Sequence, residues 1–202
     1  MKIGILGGTF NPVHIGHLIL AQDAMETFEL DRIFFVACAR PPHKPAGLLA
    51  PDEHRVAMLE RALAGNPNFE SCDLELRRGG TSYTVDTVRE LQKQHPGDEF
   101  AFIIGSDTLP ELRHWKEVDT LLGLCRFLTA CRPGFDPQAF AKQDLGLAPA
   151  RVEALLAHVF RGHQVEVSSS DIRYRAAEGM SLRYLVPESV EIYISEHRLY
   201  VK

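Results

Sequence analysis

The chain has 202 residues, of which 45% are hydrophobic and 24% charged, and a net charge of −5. That length and composition lead us to expect one soluble globular domain over residues 1–202. The negative balance excludes a global basic field for nucleic acid or an anionic membrane, but a few local cations in a cleft could still hold a small anion. Cys38, Cys72, Cys125 and Cys131 form no C-x-x-C pair. They read as scattered buried thiols of a reducing cytosol rather than a zinc site or redox dithiol. With no basic leader and no apolar run near the roughly 20 residues of a span, neither a signal peptide nor a membrane segment is expected, and the location is read as cytoplasmic.

In chain order, Lys2–Leu6 is a short buried strand. A glycine turn follows, then an apolar-periodic helix over Leu18–Phe28. Arg32–Cys38 is a second strand, and the proline-rich stretch 39–50 a loop. A helix over Pro51–Ala64 has Val56, Leu59 and Leu63 on its inner face, and Gly65-Asn66-Pro67 stops it. Phe69–Leu76 reads as a third strand. The helix Thr84–Gln94 has Val85, Val88 and Leu91 on one side. Phe100–Ile104 is a solid apolar strand at the expected centre of the sheet. Two short helices are expected between Thr108 and Leu124, then a fifth strand over Arg126–Cys131. The stretch 135–162 reads as helical pieces and surface loop. Gln164–Val167 is a short strand, Ser168-Ser169-Ser170 caps a helix over Asp171–Glu178, and Pro187 opens a last helix with Val190 and Ile194 inward. Strands alternating with helices specify a doubly wound, Rossmann-like parallel sheet flanked by helices, with a C-terminal helical segment. Ligands of such sheets bind beyond the C-terminal strand ends.

The turn after the first strand is Gly7-Gly8-Thr9-Phe10-Asn11-Pro12-Val13-His14-Ile15-Gly16-His17. It is neither a dinucleotide fingerprint nor a Walker A loop. A helix start behind a glycine turn offers backbone N–H groups and a positive dipole end to an anion. Two histidines three residues apart on a helix share a face. The turn could be no more than tight backbone with exposed imidazoles; both histidines at the helix start favour a phosphate site.

This segment resembles the H-x-G-H signature of the nucleotidyltransferase superfamily, and resembles more closely still that of the bacterial nicotinate-nucleotide adenylyltransferases. The similarity continues through Pro41-Pro42-His43-Lys44, Ser82–Thr87, Gly105-Ser106-Asp107 with Trp115, Arg132-Pro133-Gly134 and Ser168–Arg173. Asn11 stands where many relatives have Asp, and Ser170 where they have Thr. The resemblance implies that a nucleotide 5′-phosphate attacks the α-phosphorus of ATP and pyrophosphate leaves, with Mg²⁺ carried by the phosphates and no protein metal site. It implies His14, His17 and Arg173 as catalytic groups. Gly7, Gly8, Thr9, Phe10, Gly105, Asp107, Ser168, Ser169 and Ser170 join them in binding ATP. Nicotinate mononucleotide is implied to meet Asn11, His43, Lys44, Tyr83, Thr84, Asp107, Trp115 and Arg132. A carboxylate at the Tyr83–Thr84 helix start would favour the acid over the amide.

Each residue has a plainer reading. His43-Lys44 could be a solvated loop pair, Arg173 a surface arginine, Trp115 a packing residue and Asp107 a helix cap. Ser82–Thr87 could be only a helix start. Asp52, Glu53, His54 and Arg55 read as a helix N-terminal turn with no assigned chemistry, although Arg55 could face the cleft. His95, His114, His158, His163 and His197 read as surface or structural. Two other functions compete with the adenylyltransferase. One is a transferase for another acceptor, such as phosphopantetheine or glycerol 3-phosphate; His14 argues against the pantetheine type, which carries T-x-G-H. The other is a non-catalytic nucleotide sensor. The sequence leaves a homo-oligomer open.

Overall fold

The computed structural model describes residues 1–42, 49–141 and 146–201. Its first half runs β1 (Lys2–Gly8), α1 (Ile15–Phe28), β2 (Arg32–Ala37), α2 (Asp52–Leu63), β3 (Phe69–Cys72), α3 (Leu74–Arg78) and α4 (Thr84–Gln94). Then come β4 (Glu99–Gly105), a 3-10 helix (Ser106–His114), α5 (Val118–Leu124), β5 (Arg126–Ala130) and α6 (Pro137–Ala141). The chain continues through α7 (Pro149–Leu156), β6 (Val159–Phe160), α8 (Ser169–Ala177) and α9 (Glu188–Glu196). Among the described residues no helix is long and apolar enough to cross a membrane.

The strands form one six-stranded sheet in the order β3-β2-β1-β4-β5-β6. Parallel pairing sets Ile3 against Phe100, Ile5 against Phe102, Ile103 against Leu128 and Ala130 against Phe160. This is the expected Rossmann-like doubly wound sheet, whose order reverses between β1 and β4. Both strands are runs of buried residues, as strands covered on both faces must be. Gly4 lies in β1 because the core leaves no room beside it. A Cβ there would sit 2.5 Å from Ile33 Cδ1, 2.9 Å from Leu30 Cδ1 and 3.1 Å from Ile103 Cδ1. Gly4→Ala is expected to destabilise the fold by about 1–3 kcal/mol through overpacking, read as a lower urea midpoint at unchanged m-value.

Contacts gather into two compact units. The first is Met1–Leu6, Leu20–Ile33 and Tyr83–Gln164; the second is Gly7–Ile19, Phe34–Ser82 and Val165–Lys202. Within the first, α4 packs on α5 and α7 on β5. Asp23 of α1 accepts the His163 N–H at 2.7 Å and lies 2.7 Å from that imidazole's Nδ1. Within the second, α2 packs on α9 and β3. Arg61 lies over the Tyr193 ring at 4.4 Å, and His54 Nδ1 is 2.9 Å from the Tyr193 hydroxyl.

Several elements differ from expectation for local reasons. The third strand stops at Cys72, because Asp73 disfavours strand and the residues after it, Leu74–Arg78, are good helix formers that make a short helix. Arg77 secures that helix by pairing with Asp73 at 2.8 Å. Gln164–Val167 is not a strand: Val159–Phe160 already occupies the edge of β5. The Gln164 side chain instead donates to the Cys131 carbonyl at 3.1 Å. The first of the two expected short helices is a 3-10 helix from Ser106 that contains Pro110. The buried face of α2 is Arg55, Met58, Leu59 and Leu63, so Arg55 takes the inward place read for Val56. Cys125 is buried and the other three cysteines are half-buried, all as free thiols. Burial pushes Cys38 up to about 11 and Cys125 up to about 12, which makes both poor nucleophiles at neutral pH.

Candidate active site

In the second unit, β1 ends at Gly8 and the chain turns through Thr9–Val13 into α1. A side chain at Gly8 would crowd the Phe10 ring at 3.1 Å. Phe10 adopts φ +45°, and its side chain is buried against Phe35 with centroids 5.9 Å apart. Phe10 is therefore the floor of the turn, and its backbone is what it can show a ligand.

The carbonyls of the turn are held from behind. Arg55 of α2, fully buried, donates through Nη1 to the Thr9 and Cys38 carbonyls at 2.8 Å each. Its Nη2 pairs with Asp52. Arg173 of α8 donates to the Asn11 carbonyl at 2.8 Å, and the Ser169 hydroxyl to the Pro12 carbonyl at 2.8 Å. Thr9, Asn11 and Pro12 thus each give their carbonyl to a side-chain donor.

His14 does not belong to α1, contrary to the sequence reading; it immediately precedes the first helical residue, Ile15. The two imidazoles still meet, stacked with centroids 3.7 Å apart at 26°. The His14 N–H donates to His17 Nδ1 at 3.2 Å, the reciprocal half of a capping box. An accepting Nδ1 bears no proton, so the neutral His17 ring carries its proton on Nε2. Gly16 between them is constrained as well, since a Cβ would lie 3.1 Å from His14 Nδ1. The amides at the helix start are partly used: Ile15 N–H donates to the Leu185 carbonyl at 3.1 Å and His17 N–H to the His14 carbonyl at 3.0 Å.

The three serines at α8 have separate tasks. Ser168 caps the helix by accepting the Asp171 N–H at 3.1 Å, Ser169 holds Pro12, and Ser170 Oγ accepts from Arg173 Nη2 at 3.3 Å. Asn11 is 2% exposed, and its Oδ1 accepts from the Ala50 N–H at 3.0 Å and the Tyr200 hydroxyl at 2.9 Å. Ser82 is buried and its Oγ accepts the Ala39 N–H at 3.0 Å. His43 and Lys44 lie outside the described residues.

The first unit brings together the other predicted residues. Gly105 ends β4, where a Cβ would collide with the Asp107 carboxylate. Asp107 and Arg132 face each other at 3.6 Å, both more than half exposed, and the Arg132 N–H donates to Ser106 Oγ at 2.9 Å. Trp115 follows the 3-10 helix half-buried, its ring edge-on to Phe102 at 5.9 Å and Phe127 at 6.2 Å. Tyr83 and Thr84 start α4. Lys116 Nζ lies 4.8 Å over the Tyr83 ring and pairs with Asp86 at 2.9 Å. Arg89 pairs with Glu117 at 2.7 Å, so ionic contacts tie the Trp115 turn to the start of α4.

The sequence reading gave Arg55 no role beyond allowing that it could face the cleft, and it missed Tyr200 and Lys116. For Arg55 a signal existed: it falls in helical period with Met58 and Leu59. Tyr200 and Lys116 carried none.

A family model described as cytidylyltransferase-like matches residues 5–175 of the chain. The "Probable nicotinate-nucleotide adenylyltransferase" of Opitutus terrae is 46% identical over 99% of this chain and 98% of its own length. The protein of the same name from Symbiobacterium thermophilum is 44% identical over 100% of this chain and 96% of its own. The solved Plasmodium falciparum nicotinic acid mononucleotide adenylyltransferase complexed with NaAD has the same fold, with a TM-score of 0.74 at 20% identity over 98% of this chain and 97% of that one. Full-length identity at this level, the Rossmann-like sheet and the H-x-G-H turn lead to one conclusion: the chain belongs to the nicotinate-nucleotide adenylyltransferase family of cytidylyltransferase-like proteins.

Proposed function

We propose that this chain transfers the adenylyl group of ATP to the 5′-phosphate of nicotinate mononucleotide, forming nicotinate adenine dinucleotide and pyrophosphate in NAD biosynthesis. The observation that carries the reading is the Gly7–His17 turn. Its carbonyls at Thr9, Asn11 and Pro12 are tied to side-chain donors, and His17 Nδ1 accepts the His14 N–H, which leaves Nε2 as the donor of the neutral ring. A phosphate at this turn meets N–H groups and an imidazole donor rather than carbonyl oxygens. The names of the full-length relatives supply the acceptor.

A phosphate oxygen of the acceptor attacks the α-phosphorus in line. The bond from that phosphorus to the bridging oxygen breaks, and pyrophosphate leaves with the electron pair. The protein aligns two polyanions and stabilises charge on the phosphoryl oxygens. The amides of Gly7, Gly8, Thr9 and Phe10 with His17 serve the α-phosphate, and His14 lies alongside. Arg173 grips the departing β- and γ-phosphates with a multi-donor fork, at a helix start shaped by Ser168, Ser169 and Ser170. Gly105 and Asp107 serve ribose or phosphate. On the acceptor side, the Tyr83–Thr84 backbone takes the pyridine carboxylate, Trp115 forms a wall for the ring and Arg132 adds a cation, whereas Asn11, buried and held by Ala50 and Tyr200, anchors the turn instead of meeting the acceptor. His43 and Lys44 contact phosphate.

A Mg²⁺ would be held by phosphate oxygens and water, its preferred ligands, with the exposed Asp107 as an indirect contact. When bound, Mg²⁺ neutralises charge on the triphosphate.

Protein with ATP and Mg²⁺ is expected to release pyrophosphate with nicotinate mononucleotide and not with phosphopantetheine or glycerol 3-phosphate. The acid is expected to exceed the amide in kcat/KM by about 10- to 100-fold, the worth of a hydrogen bond to a charged group. Turnover with phosphopantetheine alone would overturn the proposal, and equal constants for acid and amide would remove the carboxylate role of Tyr83–Thr84.

A further inference from the structure

Tyr200 joins the cradle without lining it. It follows α9 in a segment where Arg198 has φ +48° and Tyr200 φ +64°. Side chains with a Cβ adopt this left-handed region only when their surroundings hold them there. Leu199 between them is buried. The Tyr200 hydroxyl is desolvated, and that burial pushes its phenol up. A phenylalanine would fill the same space without a polar atom to satisfy. What the hydroxyl does is donate to Asn11 Oδ1 at 2.9 Å, the atom that also accepts the Ala50 N–H at 3.0 Å.

Asn11 is the hinge of the arrangement. Its side chain is held by Tyr200 and Ala50, while its carbonyl holds Arg173 Nη1 at 2.8 Å. A second link to that guanidinium, Ser170 Oγ at 3.3 Å, lies on α8 itself. Asn11 therefore ties Arg173 to the turn, and Tyr200 ties Asn11.

We propose that Tyr200 is a positioning residue for ATP: through Asn11 it fixes the Arg173 guanidinium on the β- and γ-phosphates. The inference rests on the reading of Arg173 given above. Tyr200→Phe removes the hydroxyl and keeps the ring. It is expected to raise the KM for ATP, and for pyrophosphate in the reverse reaction, by about threefold to tenfold, the range for one hydrogen bond. The KM for nicotinate mononucleotide is expected to stay within twofold of the parent. In an Arg173→Ala background, Tyr200→Phe is expected to add nothing, because its effect passes through the missing guanidinium. Tyr200→Met, which packs differently but also lacks the hydroxyl, is expected to give the same ATP-side loss. Additive losses in the double variant, equal rises in both KM values, or an unmoved KM for ATP would each overturn the proposal. If Arg173→Ala alone leaves ATP and pyrophosphate kinetics intact, the reading of Arg173 is what fails.

Discussion

Replacing His17 with Ala is expected to lower kcat for pyrophosphate release by about 10²- to 10³-fold, the usual effect of removing one donor to a transition-state oxyanion. The bond from the His14 N–H to Nδ1 fixes the ring and leaves the proton on Nε2, so deletion removes an oriented donor. The same deletion removes a cap, at about 0.5–2 kcal/mol. His17→Gln separates the two effects. Glutamine restores an acceptor at the third helical position, as in a capping box, so thermal unfolding should return close to that of the parent. Turnover should not return, since the amide does not reproduce the placement of the imidazole proton. Steady-state pyrophosphate release and a thermal scan on both variants decide it. Parent-like kcat in His17→Gln would assign His17 to helix capping alone.

Replacing Arg55 with Met is expected to give the largest stability loss. The Thr9 and Cys38 carbonyls both lose the buried guanidinium. At up to about 1–3 kcal/mol for each half-buried carbonyl left without its donor, the loss reaches at most about 2–6 kcal/mol, a large share of the roughly 5–15 kcal/mol that holds a domain together. The pair with Asp52 adds little, because that carboxylate is 57% exposed. Arg55→Lys should recover only part, since an ammonium lacks the planar fork that reaches two carbonyls and a carboxylate together. Urea unfolding measures both variants. A loss below about 1 kcal/mol in Arg55→Met would mean that the turn is held by other means.

Arg55 also marks where sequence reading stops. A charged residue in the first turn of a helix, beside Asp52 and Glu53, has the appearance of a solvated end. Its burial is decided by the carbonyls it meets just after β1 and β2, at Thr9 and Cys38, and those are distant in sequence. Tyr200 was hidden for the same reason: its partner Asn11 is 189 residues away. The serines show a milder case. The Ser168 cap was legible, because a cap bonds within three residues, and it forms as expected. That Ser169 would hold Pro12 was not, since no local rule joins positions 157 residues apart.

The strands that failed have the same explanation from the other side. Periodicity reports whether a segment can be extended, not whether an edge is left for it. Gln164–Val167 is extended in composition, yet Val159–Phe160 already occupies β5.

By itself, the sequence determined the alternation of strand and helix, the buried faces of α4 and α9, the glycine turn with its two imidazoles and the family to which they point. Those features depend on neighbours a few residues apart, where propensity, spacing and backbone chemistry act directly. Only the tertiary structure decided which donors hold the carbonyls of that turn, that His14 stands outside its helix, that Asn11 is an internal anchor and that Arg55 is buried. The physical reason is that a buried polar atom must be satisfied by whichever partner folding brings to it, and here those partners come from α2, α8 and the segment after α9.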